Sequence, residues 1–158
     1  MSLSITIRNR QKTRVLNTSL LRQIIRSLLS DEFRLSGCEL CFHFVAAPEM
    51  ARINKAFLNH EGSTDVITFD HSSPSAGATG QPTCFHGEIF ICIDDAVKQS
   101  RQFRTVWQSE LVRYVIHGLL HLAGHDDLRP AARRKMKREE NRLLRLLAKR
   151  FAFGKLAA

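Results

Sequence analysis

The alternation of apolar and polar residues predicts short strands separated by amphipathic helices. Residues 3–10 (LSITIRNR) alternate as a half-buried strand does. Similar short runs, rich in aromatic and branched residues, predict strands at 38–46, 65–70 and 87–93. Together the four segments predict one small sheet.

Helical spacing of apolar residues fills most of the remaining chain. Asn17 or Thr18 can cap a first helix, and Pro48 suits the first turn of a second. Three further helices are predicted, from a cap at Asp94 or Asp95 to Phe103, over 105–124, and from Pro130 to about Phe151.

The order of these elements predicts an α+β fold with α/β-type layers: a small mixed four-stranded sheet with about five helices. Residues 71–84 are rich in Ser, Gly, Pro and Thr and are expected to form a flexible loop that joins two strands or covers a site. Splitting the chain there would leave halves too small for their own cores. We therefore expect residues 1–158 to form a single domain.

Charge separates this chain from an average globular protein. Lys and Arg number 24 against 15 Asp and Glu, a net charge of +9. Such an excess favours a polyanionic partner, RNA before an acidic membrane surface. Because no apolar run approaches a membrane span and the N-terminus lacks the pattern of a secretory signal, we expect a cytoplasmic protein without membrane association.

Two cysteines form a CxxC, Cys38 and Cys41, on a predicted strand. Positions three apart on a strand point to opposite faces of the sheet. A structural zinc site would need a second such pair. Reduced thiols are therefore the favoured interpretation.

The segment VIHGLLHLAGHDD, residues 115–127, carries the candidate chemistry. His117 and His121 are four residues apart on a predicted helix, so both imidazoles can reach one ion, although two hydrogen-bonded core histidines would show the same spacing. Gly124 allows the chain to turn back toward such an ion. Asp127 beyond the turn can supply a carboxylate, and His125 can supply an imidazole if the helix continues. Asp126 is a weaker candidate.

Gly118 occupies the position where a zinc-protease helix carries glutamate. That glutamate accepts a proton from the zinc-bound water. Its absence argues against peptide hydrolysis by this route. Asp65 and Glu88, near the ends of predicted strands, are possible substitutes as a base, although a structural hydrogen-bonding role is favoured for both.

HGLLHLAGHDD resembles HGxLHLxGyDH, the signature of the YbeY family of endoribonucleases and rRNA maturation factors, in which three histidines hold zinc. STDVITFD, HGEIFICIDDAVKQS and KMKREENRLL resemble further blocks of that family in the same order. The resemblance covers roughly residues 50–145. It implies an α/β fold with one Zn²⁺ in a cleft, within a single YbeY-like metal-dependent hydrolase domain.

On this pattern the metal ligands are His117, His121 and Asp127, with Asp127 in place of the usual third histidine. His125 occupies the place of the usual tyrosine and remains the alternative third ligand. The resemblance implies a single-strand-specific, zinc-dependent endoribonuclease that acts in 16S rRNA 3′-end maturation and ribosome quality control. Its implied partners are ribosomal RNA and the small ribosomal subunit. No catalytic or substrate-binding residue is assigned.

One departure supports a different function. Leu58 lies where the family usually has an arginine, which would donate two hydrogen bonds to a phosphate. Either Arg52 or His60 compensates, or the nuclease activity is weak. The alternative function is therefore a non-catalytic ribosome-assembly factor with a structural metal. The basic segment 129–150, with its apolar stripe, is either a solvated helix or an RNA contact.

Overall fold

The four strands form one mixed sheet in the order β1-β2-β4-β3. This computed structural model describes residues 2–72 and 82–157. The strand bounds are Leu3–Asn9 for β1, Gly37–Val45 for β2, Val66–Asp70 for β3 and Cys84–Cys92 for β4. Strands β1, β2 and β4 run parallel, and β3 pairs antiparallel with β4. The sheet is therefore mixed, as predicted.

Within residues 2–72 and 82–157, five α-helices accompany the sheet, which confirms the predicted α+β class. Their bounds are Thr18–Ser27 for α1, Ala47–Leu58 for α2, Ile93–Phe103 for α3, Trp107–Leu122 for α4 and Pro130–Arg150 for α5. Helix α1 continues as a π-helical turn, Leu28–Glu32, and the chain ends in a 3-10 helix, Phe153–Ala157.

The main core lies between one sheet face and helices α1, α4 and α5. Phe42 and Ile89, paired in register on β2 and β4, are fully buried there. Helix α2 covers part of the opposite face, where Met50 packs with Val45 and Ile67. The sheet therefore separates the main core from a smaller apolar cluster under α2. His117 and His121 lie on the side of the main core, on α4.

Helix starts follow the sequence prediction at α1 and depart from it at α3. The Asn17 side chain accepts a hydrogen bond from the Leu20 N–H at 3.1 Å, which confirms the predicted cap. The predicted cap at Asp94 or Asp95 is wrong, because β4 runs directly into α3 and Cys92 takes the cap position. Asp94 instead accepts the Ala47 N–H at 2.6 Å and so fixes the start of α2.

Part of the predicted loop, residues 73–81, lies outside the described residues. Strand β4 begins at Cys84, three residues before the predicted start, because Cys84 pairs with Gly37 on β2. Among the described residues, no helix is long and apolar enough to cross a membrane.

Both residues of the CxxC are free thiols. Cys38 is buried in the main core, and Cys41 lines a polar cavity on the opposite sheet face. The two side chains therefore cannot share one ion, as the strand pattern predicted.

Candidate metal centre

Helix α4 holds His117 and His121 one turn apart, and the following turn returns Asp127 to them. Gly124 has φ +99°, a left-handed conformation that only glycine adopts readily. Its N–H donates to the His121 carbonyl at 3.0 Å, and the His125 N–H donates to the Leu120 carbonyl at the same distance. These bonds close the end of α4 and reverse the chain.

The three predicted ligands converge on one point. His117 Nε2 lies 3.1 Å from His121 Nε2. Asp127 Oδ2 lies 3.7 Å from the first nitrogen and 3.6 Å from the second. Tetrahedral zinc with nitrogen and oxygen ligands would set such atoms about 3.3 Å apart. The triangle therefore has the size that one zinc ion requires.

A hydrogen bond turns the Nε2 lone pair of His117 toward this point. His117 Nδ1 lies 2.9 Å from Glu140 Oε2, and because the carboxylate is an acceptor, Nδ1 carries the proton. Two ring nitrogens and a carboxylate oxygen thus face one another, which is a donor set for a cation.

Glu140 is the buried support of the cluster, only 4% exposed. Arg113 Nη1 donates to Glu140 Oε1 at 2.7 Å, and Lys137 Nζ lies 3.4 Å from the same oxygen. Burial raises the Glu140 pKa, but the hydrogen bonds from His117 and Arg113 outweigh it and lower the pKa to about 2. Glu140 is therefore a carboxylate at neutral pH.

The two histidines differ in their affinity for a proton. Burial lowers the His117 pKa, yet the Glu140 carboxylate overcomes this effect and the net shift is upward. Burial and the neighbouring His117 lower the pKa of His121. His121 is thus neutral at neutral pH, the form that binds metals.

The alternative ligands are directed elsewhere. His125 lines a separate small cavity with Glu139 and Arg142. Asp126 Oδ1 accepts the Leu128 N–H at 2.7 Å and so stabilises the turn. The structure brings neither side chain to the cluster.

Gly118 has a packing role under this site. A Cβ added there would lie 2.8 Å from Ile89 Cγ2, on a fully buried strand residue. Side chain 118 would therefore point at the sheet, away from the three ligands. Glycine at this position lets α4 approach β4 closely.

A cavity of about 470 Å³ opens beside the cluster. Asp65 lines it, with its Oδ1 accepting the Val66 N–H at 2.8 Å. Three cationic side chains also line it: Arg113, Arg133 and Lys137. Arg52, Leu58 and His60 are outside the lining, so the cations of this cleft come from α4 and α5.

Glu88 does not border this cleft, and its hydrogen bonds agree with the favoured structural role rather than with that of a base. Its side chain projects from the opposite face of β4, where His43 Nε2 lies 2.8 Å from Oε1 and His71 Nε2 lies 3.0 Å from Oε2. Hydrogen bonds from His71 and His43 lower the Glu88 pKa. Alternation along β4 places Glu88 on the face opposite Ile89.

Cys41, His43 and Glu88 form a second group whose ligand atoms lie within 4.8 Å of one another. Here Arg10 Nη1 donates to His43 Nδ1 at 3.0 Å, so the ring proton lies on Nε2 and donates to Glu88. Metal binding at Nε2 would move that proton to Nδ1, against the guanidinium. Arg10 is itself held by Glu49 at 2.7 Å. This group is therefore a satisfied hydrogen-bond network.

Sequence reasoning missed Glu140 and its partner Arg113. Glu140 lies 23 residues from His117 and belongs to the apolar stripe of α5, between Met136 and Leu143. An acidic residue in a buried stripe is costly unless it is paired. The glutamate within the apolar stripe was therefore the sequence signal from which a buried, paired Glu140 could have been predicted.

Comparisons with protein families, curated proteins and solved structures all find the same family or its fold. A family model described as Endoribonuclease YbeY matches residues 6–148. A curated "Endoribonuclease YbeY" from Salinibacter ruber is 33% identical over 143 residues, 89% of each chain. One from Elusimicrobium minutum is 37% identical over 127 residues, 80% of this chain and 86% of the relative.

A solution structure of a Thermotoga maritima protein shares the fold, with a TM-score of 0.62 and 22% identity over 90% of this chain and 88% of that one. The range 6–148 matched by the family model contains the three candidate ligands and Glu140. This chain belongs to the Endoribonuclease YbeY family.

Proposed function

We propose that this chain is a zinc-dependent, single-strand-specific endoribonuclease that acts on ribosomal RNA. As its place in cells we propose 16S rRNA 3′-end maturation and ribosome quality control, with the small ribosomal subunit as partner, in the cytoplasm. The observation that carries the proposal is the convergence of two ring nitrogens and one carboxylate at the edge of a cleft that also holds three cationic side chains, in a chain of this family.

His117, His121 and Asp127 would hold the ion. Zinc bound there supplies Lewis acidity toward a phosphoryl oxygen and lowers the pKa of a coordinated water. Glu140 keeps His117 in the tautomer whose Nε2 faces the ligand cluster. With only three protein ligands, a zinc ion would keep one position for water or substrate.

Charge in the cleft supports a metal requirement for RNA binding as well as for chemistry. The lining contains four carboxylates, from Asp65, Glu110, Asp127 and Glu140, and three cations, from Arg113, Arg133 and Lys137. With His117 neutral, the lining carries one net negative charge, and a divalent ion changes it to one net positive charge. The second state attracts phosphates more strongly.

We propose further that residues 1–158 form a single metal-dependent hydrolase domain. Helix α5 buries Met136, Leu143 and Leu147 and exposes Arg134 and Arg138. Its outer face is thus suited to contact ribosomal RNA.

The test is cleavage of single-stranded and duplex RNA by purified zinc-loaded protein. We expect cleavage of the single strand, loss of cleavage after chelation, and loss in the His117→Ala, His121→Ala double variant. Equal cleavage by wild type and double variant would contradict the proposal, because a contaminating nuclease would then be responsible.

The second candidate is a non-catalytic ribosome-assembly factor with a structural metal. The exposed Leu58, at the position of the family's arginine, favours it. This candidate predicts binding to small ribosomal subunits without cleavage at any zinc content. Cleavage that follows zinc content would exclude it.

A further inference from the structure

Beside the metal ligands, the cleft is lined by side chains of α3 and α5 whose chemistry matches that of a nucleotide. Phe103 ends helix α3 and lines the cavity although its side chain is 61% exposed. Arg133 and Lys137 line the same cavity from α5. An exposed aromatic ring and two cations at one cavity form the usual combination for binding single-stranded nucleic acid.

Phe103 is held in place by the turn that follows it. Arg104 adopts a left-handed conformation with φ +56°, and the Thr105 N–H donates to the Ser100 carbonyl at 2.8 Å. The Thr105 hydroxyl donates to Glu110, which is buried on α4, at 2.8 Å. The ring is thus presented on a fixed backbone, so stacking on it costs little ordering of the protein.

Arg133 and Lys137 are four residues apart and share one side of α5. Arg133 Nε donates to the backbone carbonyl of Asp127 at 3.2 Å, which places the guanidinium beside the metal-ligand loop. This bond uses Nε alone, and the two Nη groups remain the donors that suit a phosphate. Lys137 adds a mobile charge one turn away, in loose contact with Glu140.

We propose that Phe103, Arg133 and Lys137 form a subsite for one nucleotide adjacent to the scissile phosphate, with the base stacked on Phe103 and the phosphate held by Arg133 and Lys137. The cavity of about 470 Å³ is within the range that holds small-molecule ligands. A base stacked on protein cannot be stacked in a helix. The subsite therefore explains a single-strand preference, and in that respect it rests on the proposed function.

The subsite also replaces a missing cation. Leu58 supplies no charge to the cleft, and neither Arg52 nor His60 lines it. Arg133 lines the cleft from α5 instead. The phosphate-binding charge of this chain is thereby assigned to α5, which is the most basic segment of the sequence.

The test measures the binding of a short 5′-labelled RNA to zinc-loaded protein by fluorescence anisotropy. The RNA is used as a single strand and as a duplex, each at several salt concentrations. A denaturing gel of each sample measures how much RNA has been cut, and only samples with intact RNA are used for the affinity. We expect Phe103→Ala to weaken single-strand binding about tenfold and to leave duplex binding unchanged, with Phe103→Tyr close to wild type. Arg133→Gln should reduce the salt dependence by about one phosphate contact.

Two matched variants serve as controls. Phe57→Ala removes a similarly exposed ring outside the cavity lining, and Arg26→Gln removes an exposed charge on α1, away from the cavity lining and α5. Wild-type affinity of Phe103→Ala for the single strand, or an equal loss in Phe57→Ala, would overturn the subsite. If Phe103→Ala binds normally while wild type cleaves RNA with zinc, only the subsite fails. If binding depends on Phe103 but no RNA is cut, only the proposed function fails.

Discussion

Asp127 reaches the paired histidines because the turn at Gly124 reverses the chain within three residues. The carboxylate oxygen then lies within 3.7 Å of both ring nitrogens, whereas His125 points into a different cavity. Side-chain direction after the turn, rather than residue type, thus decides which residue can complete the cluster. From the sequence, either Asp127 or His125 could be the third ligand. The backbone angles of the turn decide between them, and residue types do not determine those angles.

The first prediction compares Asp127→Ala with His125→Ala. We expect Asp127→Ala to lower zinc affinity more than tenfold, by analogy with the roughly 10–100-fold losses produced by changes around metal ligands. His125→Ala should keep wild-type zinc content. The measurement is zinc per chain after dialysis against a competing chelator, and zinc loss confined to His125→Ala would contradict the assignment.

The second prediction concerns the support of His117. Glu140→Gln keeps the size of the side chain but removes the charge that fixes the imidazole, so zinc affinity should fall about 10–100-fold. Glu139→Gln, the adjacent residue paired with Arg142, is the control and should bind zinc normally. Circular dichroism would establish that both variants are folded. Equal zinc affinity in the two variants would show that Glu140 does not position His117.

At the scale of elements, α4 must lie very close to β4 for the histidines to reach the cleft. Gly118 allows that approach, because its missing side chain faces Ile89. In the sequence, Gly118 was notable because it replaces the glutamate of a zinc protease. The structure shows in addition that a larger residue there would contact Ile89. Contacts between elements far apart in sequence are invisible to local patterns, which is also why Glu140 was missed.

Gly118→Ala is the third prediction. The new Cβ would lie 2.8 Å from Ile89 Cγ2, and overpacking of this kind costs about 1–3 kcal/mol, against about 1 kcal/mol gained in helix propensity. We expect a net decrease in the free energy of unfolding, measured by urea denaturation. Gly154→Ala, with nothing within 4 Å, should be nearly neutral.

A double variant tests the cause of that effect. If the contact with Ile89 is responsible, Gly118→Ala and Ile89→Ala together should destabilise less than the sum of the two single changes. Strict additivity would place the cost of Gly118→Ala elsewhere.

At the scale of the whole molecule, the sheet divides the polar chemistry between two faces. Periodic patterns predicted the four strands, the five helices and the order of the elements, since these depend on local spacing. They did not predict the strand order or which face each strand end presents to the cleft. From the sequence, Glu88 was consequently still a candidate base, whereas it lies in the Arg10–His43–Glu88–His71 network on the other face.

This division gives the fourth prediction, on metal stoichiometry. Because Arg10 holds the proton of His43 on Nε2, the Cys41 group should not bind zinc, and the protein should contain about one zinc ion per chain. Cys41→Ser should leave that content unchanged, with Cys84→Ser as a control at another free thiol. A loss of zinc in Cys41→Ser alone would show that the second group is a metal site.

The central claim is that one ion, held by His117, His121 and Asp127, enables this chain to cut single-stranded RNA. The most direct measurement is a titration of metal-free protein with zinc, in which RNA cleavage and bound zinc are followed in the same samples. We predict that the cleavage rate rises with bound zinc, reaches a plateau at one ion per chain, and is absent throughout in Asp127→Ala at the same zinc concentrations. A rate independent of bound zinc, or no cleavage at full occupancy, would contradict the account.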